Sequence, residues 1–470
     1  MYVLLPAASA FTTTAELFRP WNALRAAVGE PPAARLFEAK TRLFGAKEPD
    51  VIFWRDSAGW CPFCEMTWLL LEEMRVPYCV RTVPLRRYML EGEQKDPEYI
   101  FLVGPEGVVP SLQFCADAVM DGSPAGGPPV QSVESIFGEL ERRYPDRFPG
   151  GAPGTRARAC EGEGSIFGLL RVARRSYEAC AGAASSDPIA LGALAGALEE
   201  LNQMIAEADE QRGGGAMGGA DVGGPFLEGG ATPTVADLML LPFLERTEAV
   251  VPYFFGRDAL VTSRVPFGRI ARYLSEARRE HAAFAALSSD ATTLARTNLR
   301  YALAGQAPRY SVPSMDVDEE AAAAIDGTSP KVRDAWAAAA SATDRHEAAA
   351  RLASAAERVS AFARRCAELP PAAPSGAARA DASEGDAVDA ALRALASLLL
   401  DGGNADAQRD SEIAAAALQS RYGAGGAAEA AAALEALSLN VGVPRDMSVE
   451  PARALRAYAR ILAAALARTT

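Results

Sequence analysis

Two thiols separated by two residues, Cys61 and Cys64, are the side chains of this 470-residue chain best placed for chemistry. They stand in Trp60-Cys61-Pro62-Phe63-Cys64. The apolar run Val51-Ile52-Phe53-Trp54 comes before them, and apolar residues at helical spacing come after: Phe63, Met66, Leu70, Leu71 and Met74. A strand, a turn with two thiols and a helix form a setting for redox chemistry. The thiolate is the nucleophile, and a helix N-terminus stabilises it. The second thiol is spaced to attack a disulfide formed on the first. Pro62 suits the first helical turn, where its missing N–H costs nothing. Two plainer readings stand beside this one: a pair of buried small side chains, or half of a zinc site. Zinc usually takes a second cysteine pair or two histidines. His281 and His346 are far away in sequence, and neither lies at ligand spacing from a cysteine. No metal is therefore expected.

The elements around the thiols follow from pattern. A second strand is predicted over Tyr78–Val83, and a third begins in Val108-Val109-Pro110-Ser111-Leu112-Gln113-Phe114. A proline belongs at a strand start because it cannot donate to the ladder, and X-Pro is where a cis bond is tolerable. The order is strand, Cys-bearing helix, strand, loop, Val-Pro, strand, helix. It resembles the thioredoxin fold, and specifically the glutathione-binding domain of the glutathione transferases. The resemblance implies that Val109, just before a cis Pro110, offers its backbone to the cysteinyl part of glutathione.

A later segment extends the likeness. Gly223-Gly224-Pro225-Phe226-Leu227 precedes Thr232-Pro233-Thr234-Val235-Ala236-Asp237-Leu238, in which Thr234 and Asp237 have capping-box spacing. It resembles the helix-capping motif of the all-helical second domain of glutathione transferases. The resemblance covers about residues 35 to 300. It is nearest to the cysteine-type members: omega-like and glutaredoxin-like transferases, and plastid and cyanobacterial transferase-like proteins with a Trp-Cys-Pro-Phe/Tyr-Cys motif.

One place departs from that family. A Glu-Ser or Gln-Ser pair usually opens the helix after the fourth strand and holds the γ-glutamyl end of glutathione. Counting back from Leu140 and Tyr144-Pro145 puts that pair on Ser132 and Val133. Glu134-Ser135 falls two residues late and Gln131-Ser132 one early, after a Gly/Pro-rich insertion, Gly122 to Pro129. Ser132, Glu134 and Ser135 are the candidate glutathione contacts, and helix capping explains the same residues without a ligand. Arg81, Arg86 and Arg87 are candidate partners for glutathione carboxylates, a solvated face being the plainer reading.

The resemblance implies a glutathione-dependent thiol transferase or reductase, with glutathione as co-substrate. Cys61 would be the nucleophile. Its glutathionylated form would be resolved by a second glutathione or by Cys64. The acceptor would be a small disulfide, a glutathionylated substrate or dehydroascorbate. Two alternatives remain open: a catalytically silent scaffold on the same fold that binds a protein partner, and a glutathione-independent dithiol oxidoreductase. A homodimer is common in the resembled family.

Composition narrows the classes further. A net charge of −13 argues against a general nucleic-acid role, since phosphate binding wants a basic surface. No run of about 18 apolar residues appears, so no membrane span is expected. Seven scattered cysteines do not form the framework of a small secreted domain, and a reducing compartment is expected. The organisation reads as an N-terminal extension over 1–49, a thioredoxin-like domain over 50–145, an all-helical domain over 156–304 and an Ala-rich helical extension over 331–470. The first part holds a lead-in helix over 36–45 and, by analogy with the plastid relatives, a targeting remnant; otherwise a cytoplasmic location is expected. Linkers are predicted near 145–154 and 307–330, and one continuous helix over 331–366. Alanine-rich helices have high propensity but little side chain to bury, so the extension needs close backbone approach or a protein partner.

Overall fold

The computed structural model describes residues 14–29, 35–84, 97–104, 108–116, 128–149, parts of 196–206, 226–227, 231–255, 267–302, 319–370, 386–402 and 406–469. Arg86, Arg87, Cys160, Cys180, the loop Gly213–Gly224 and most of the insertion before Val130 lie outside them. The chain divides into two compact units, residues 34–322 and residues 1–33 with 323–470. Two helices at the start, α1 (Thr14–Leu17) and α2 (Trp21–Val28), belong to the discontinuous unit.

The continuous unit begins with a five-stranded sheet in the order β1-β3-β2-β4-β5. Its strands are β1 (Thr41–Arg42), β2 (Val51–Asp56), β3 (Tyr78–Val83), β4 (Ser111–Phe114) and β5 (Val130–Gln131). Among the described strands only β2 and β3 run parallel, joined by helix α3 (Pro62–Glu73). The other pairings are antiparallel. β2 is the central strand, buried along nearly its whole length, which is why it reads as a continuous apolar run. Helix α4 (Pro97–Val103) precedes β4, and α5 (Val133–Arg143) follows β5. The helical spacing after Cys61 forms α3, which is buried on nearly every side from Cys64 to Leu71. It packs on α5 and also on the helices that follow the sheet.

The lead-in helix expected over 36–45 is not formed. Leu36–Glu38 makes one turn of 3-10 helix, and the chain then extends into β1. Thr41 pairs with Cys79 and Arg42 with Tyr78, covering the free edge of β3. Arg42 forks onto the Glu72 carboxylate at 3.0 and 2.8 Å, which ties this strand to the end of α3.

The helices of the same unit are α6 (Val235–Phe255), α7 (Phe267–Glu280), α8 (Ala282–Leu287) and α9 (Ala291–Ala302). The Thr-x-x-Asp spacing makes the aspartate half of the capping box that the sequence predicts. The Oδ2 atom of Asp237 accepts from the Thr234 amide and hydroxyl, both at 2.8 Å. Its Oδ1 accepts from the Leu227 amide at 2.9 Å and the Tyr273 hydroxyl at 2.6 Å. α6 packs on α3, α7 and α9. Phe63 of α3 meets Phe243 of α6 edge-on, with ring centroids 5.6 Å apart.

Helix α10 (Glu319–Asp326) straddles the sequence boundary between the units, within a stretch expected to be linker. The discontinuous unit continues with α11 (Pro330–Ala339), α12 (Ala342–Ser354), α13 (Ala356–Cys366), α14 (Ala387–Asp401), α15 (Ala407–Asn440) and α16 (Val449–Thr469). The single helix expected over 331–366 is three. The second starts afresh at Ser341, whose hydroxyl and the Asp344 carboxylate cap each other's amides. α15 is interrupted at Gly423, whose φ of 71° favours glycine. Alanine supplies the close approach: Ala427, Ala430 and Ala433 of α15 and Ala452, Ala457 and Ala459 of α16 are all buried, and these two helices pack together. Arg456, fully buried, donates to the carbonyls of Ser438 and Val441 at 3.1 and 2.7 Å, satisfying groups that the end of α15 leaves open. Leu17 of α1 and Leu24 of α2 are buried in this same core. Trp21 donates its indole N–H to Asp389 at 2.8 Å, and Arg25 donates to the Ala353 carbonyl at 2.9 Å. Among the described residues no helix is long and apolar enough to cross a membrane.

Candidate active site

Cys61 is the N-cap of α3 and Pro62 is its first residue, as the motif predicts. Cys61 is half-buried, while Cys64, one turn on, is only 2% exposed. The two sulfurs are hydrogen-bonded, and burial, followed by that bond, pushes the Cys64 thiol well above its ordinary range. A thiol at a helix start, reachable from outside and backed by a second thiol held protonated, is an arrangement suited to nucleophilic attack followed by internal resolution.

The sheet brings the Val-Pro loop to the same place. The Val109-Pro110 peptide is cis. The Cys61 sulfur lies 4.0 Å from the Val109 carbonyl oxygen. Tyr99 of α4 holds the loop from both sides: its hydroxyl donates to the Val108 carbonyl and lies 3.1 Å from the Ser111 hydroxyl. Burial, followed by the Ser111 bond acting the other way, pushes that phenol up to about 12. Trp54 stacks on Tyr99 with centroids 4.8 Å apart and donates to Gln113 at 2.7 Å.

The register of β4 with β5 pairs Ser111 with Gln131, which carries Ser132 to the level of Pro110. Ser132 caps α5: its hydroxyl oxygen accepts from the Ser135 amide at 3.2 Å. Its backbone is unusual, with φ 67° and ψ 145°, a region non-glycine residues seldom occupy. Ser132, Glu134 and Ser135 are all exposed at this rim. Arg81 pairs with Glu98 at 3.6 Å.

Three residues that the sequence reading did not single out complete the surroundings. Asp56, at the end of β2, is 1% exposed and takes the Trp60 amide on Oδ2 at 2.8 Å. Its carboxylate, next to Arg55 at the end of an apolar run and five residues before Cys61, was the available signal. Arg246 of α6 donates to the Trp60 carbonyl at 2.9 Å, the Glu65 carboxylate at 2.8 Å and the Pro242 carbonyl at 2.6 Å. Burial pushes the Glu65 carboxyl up to about 8 against the pull of Arg246. Arg55, buried, lies over the rings of Phe37 and Trp68 at 4.5 and 4.3 Å, and its charge faces Asp56 and Cys64. The Glu65 and Trp60 partners of Arg246 lie 181 and 186 positions away, beyond any local window, and no residue pattern marks the contacts of Tyr99 across its short loop.

With the geometry in place, the likeness to known proteins can be set beside it. The family model for the glutathione S-transferase N-terminal domain matches residues 60–142, and that for the glutathione S-transferase C-terminal domain matches residues 183–276. These two stretches are similar, one after the other, to the two domains of the glutathione S-transferase superfamily. Over 88 residues, 19% of this chain, it is 32% identical to "Glutathione S-transferase DHAR3, chloroplastic" of Arabidopsis thaliana. The match spans 27% of that relative's length. Solved structures similar to it include dehydroascorbate reductase from Chlamydomonas reinhardtii (17% identity, 50% of this chain and 91% of that one, TM-score 0.36). Another is glutathione transferase Omega 1C from Trametes versicolor (16% identity, 53% and 95%, TM-score 0.38).

Proposed function

We propose that this protein is a glutathione-dependent thiol transferase or reductase in which Cys61 is the nucleophile. The observation that carries the reading is the placement of a half-exposed Cys61 at the N-cap of α3, 4.0 Å from the Val109 carbonyl oxygen. Glutathione would lie along Val109-Pro110 with its γ-glutamyl end toward Ser132, Glu134 and Ser135, the exposed start of α5. The Cys61 thiolate attacks a disulfide, forms a new S–S bond and releases the other sulfur as a thiolate. A glutathione thiolate then attacks the glutathionylated Cys61, yielding oxidised glutathione and free Cys61. The match to a chloroplastic relative supports a plastid setting, over a short stretch.

The test is reduction of a small mixed disulfide by glutathione, catalysed by the wild type and by Cys61→Ser and Cys64→Ser variants. Activity abolished by Cys61→Ser and retained by Cys64→Ser supports a monothiol glutathione-dependent enzyme. No catalysis and no protection by glutathione against heating would remove the reading. One observation favours a second reading, a dithiol enzyme that needs no glutathione: the Cys64 thiol is hydrogen-bonded to Cys61. Under it, a reducible internal disulfide forms and glutathione does not bind.

A further inference from the structure

The thiol transfer proposed above makes no use of the buried carboxylate beside the two thiols, and its geometry asks for an occupant. Asp56, Cys61 and Cys64 offer one carboxylate oxygen and two sulfurs that all lie within 4.8 Å of one another. Asp56 is 1% exposed. Its Oδ2 is engaged by the Trp60 amide, while its Oδ1 has no hydrogen-bond partner among the described residues. A buried acceptor left open in this way costs about 1–3 kcal/mol. The carboxylate is already oriented by one amide, and it stands within the same small cluster as a pair of sulfurs.

We propose that the reduced Cys61–Cys64 pair and Asp56 form a binding site for one divalent cation of the zinc class. Two thiolates and a carboxylate are a borderline-soft donor set, suited to Zn²⁺ and Cd²⁺ and poor for Mg²⁺ or Ca²⁺. A tetrahedral ion with sulfur bonds of about 2.3 Å sets its ligand atoms roughly 3.5–3.8 Å apart. Side-chain adjustments suffice to close a cluster of this size onto the ion. Three protein ligands leave one position open, for water or an incoming thiolate. The half-exposed Cys61 is the side from which the ion enters, and Cys64 and Asp56 form the buried floor. The sequence alone points away from a metal because it shows only two ligands at recognisable spacing. The third is brought in by the turn Ser57–Gly59, where Gly59 has a φ of 75°.

Binding and redox chemistry exclude each other at this site. On binding, both thiols lose their protons to solvent and both sulfurs become ligands. Neither then attacks a disulfide, and no Cys61–Cys64 disulfide forms until the ion leaves. Conversely, a Cys61–Cys64 disulfide leaves only the carboxylate.

The experiment needs no glutathione, so its failure and that of the transferase reading are separable. Reduced full-length protein is titrated with ZnCl₂ against a chromophoric chelator, and with CdCl₂ while the sulfur-to-cadmium charge-transfer band is followed in the ultraviolet. Alkylation of Cys61 by iodoacetamide, located by mass spectrometry, is timed with and without Zn²⁺. The expected result is one ion per chain in the reduced protein, none at this site after oxidation with diamide, and slowed alkylation of Cys61. Asp56→Asn, which keeps an acceptor for the Trp60 amide, should weaken binding at least tenfold, with the metal-free melting temperature read alongside. Cys64→Ser should also lose the ion. Binding unchanged in Asp56→Asn would remove the carboxylate from the site. Binding that survives Cys64→Ser would assign the ion to the other cysteines, and no binding against the chelator would end the proposal. If Asp56→Asn does not fold, the Cys64→Ser titration and the alkylation timing still decide it.

Discussion

Arg246 donates to the carbonyl of Trp60, the residue before Cys61, at 2.9 Å, and with the same guanidinium to Glu65, the residue after Cys64, at 2.8 Å. A helix from the second domain thus grips the two-thiol turn of the first from both sides. Removing Arg246 leaves the buried Trp60 carbonyl and Glu65 carboxyl without their donor. Arg246→Ala is therefore expected to destabilise the unit by about 2–5 kcal/mol. The paired replacement Glu65→Leu with Arg246→Met should recover a large part of that loss. Urea denaturation of the three variants checks both expectations, and equal stability of Arg246→Ala and wild type would contradict the grip.

The same pair gives a pH dependence with a definite sign. Burial raises the Glu65 carboxyl to about 8 from an ordinary value of 4.5. The folded state therefore holds this proton more tightly than the unfolded chain. The contribution to stability is complete below about 4.5 and is lost as pH rises through about 8. Glu65→Gln should flatten the fall in stability across that window. Denaturation midpoints at several pH values between 4.5 and 8.5 test it, and parallel curves for the two proteins would refute the assignment.

Tyr99 holds both ends of the Val109-Pro110 loop through one hydroxyl. Tyr99→Phe keeps the stack on Trp54 and removes only that oxygen. A loss of about 1–2 kcal/mol is expected. If glutathione lies on this loop, its KM should rise by roughly tenfold while the melting temperature moves only a few degrees. An unchanged KM would place the cosubstrate elsewhere.

Ser132 separates capping from ligand binding. Ser132→Ala removes the cap on the Ser135 amide and keeps a side chain at φ 67°, so it should cost about 1 kcal/mol or more. Ser132→Gly loses the same cap but relieves the backbone, and should cost only a few tenths. If the hydroxyl also holds glutathione, both variants lose affinity to the same extent despite their different stabilities. Affinity for glutathione that tracks stability instead would leave Ser132 as a cap.

The parts of this molecule that were legible in sequence are those whose cause is local. Pro62 at the first helical position, the apolar run of β2 and the proline that opens β4 announce strand, thiol turn, helix and Val-Pro loop in order. Thr234 and Asp237 announce a helix start by spacing alone. Asp56 was not legible as a neighbour of the thiols, because only the folding back of residues 57–59 brings it there. The backbone angle of Ser132 leaves no mark on residue type. β1 was taken for helix because its residues suit either state, and the open edge of β3 decides between them. The pairing of residues 14–28 with helices beyond 330 could not be read from any window.

That last pairing sets an order on synthesis. Trp21 and Asp389 are 368 positions apart, and Arg25 and Ala353 are 328 apart. At about 5–20 residues per second, α1 and α2 emerge from the ribosome roughly twenty to seventy seconds before the side chains that receive them exist. The intervening residues 34–322 have that time to complete their own core. Leu17, Trp21 and Leu24 wait through it as exposed apolar surface.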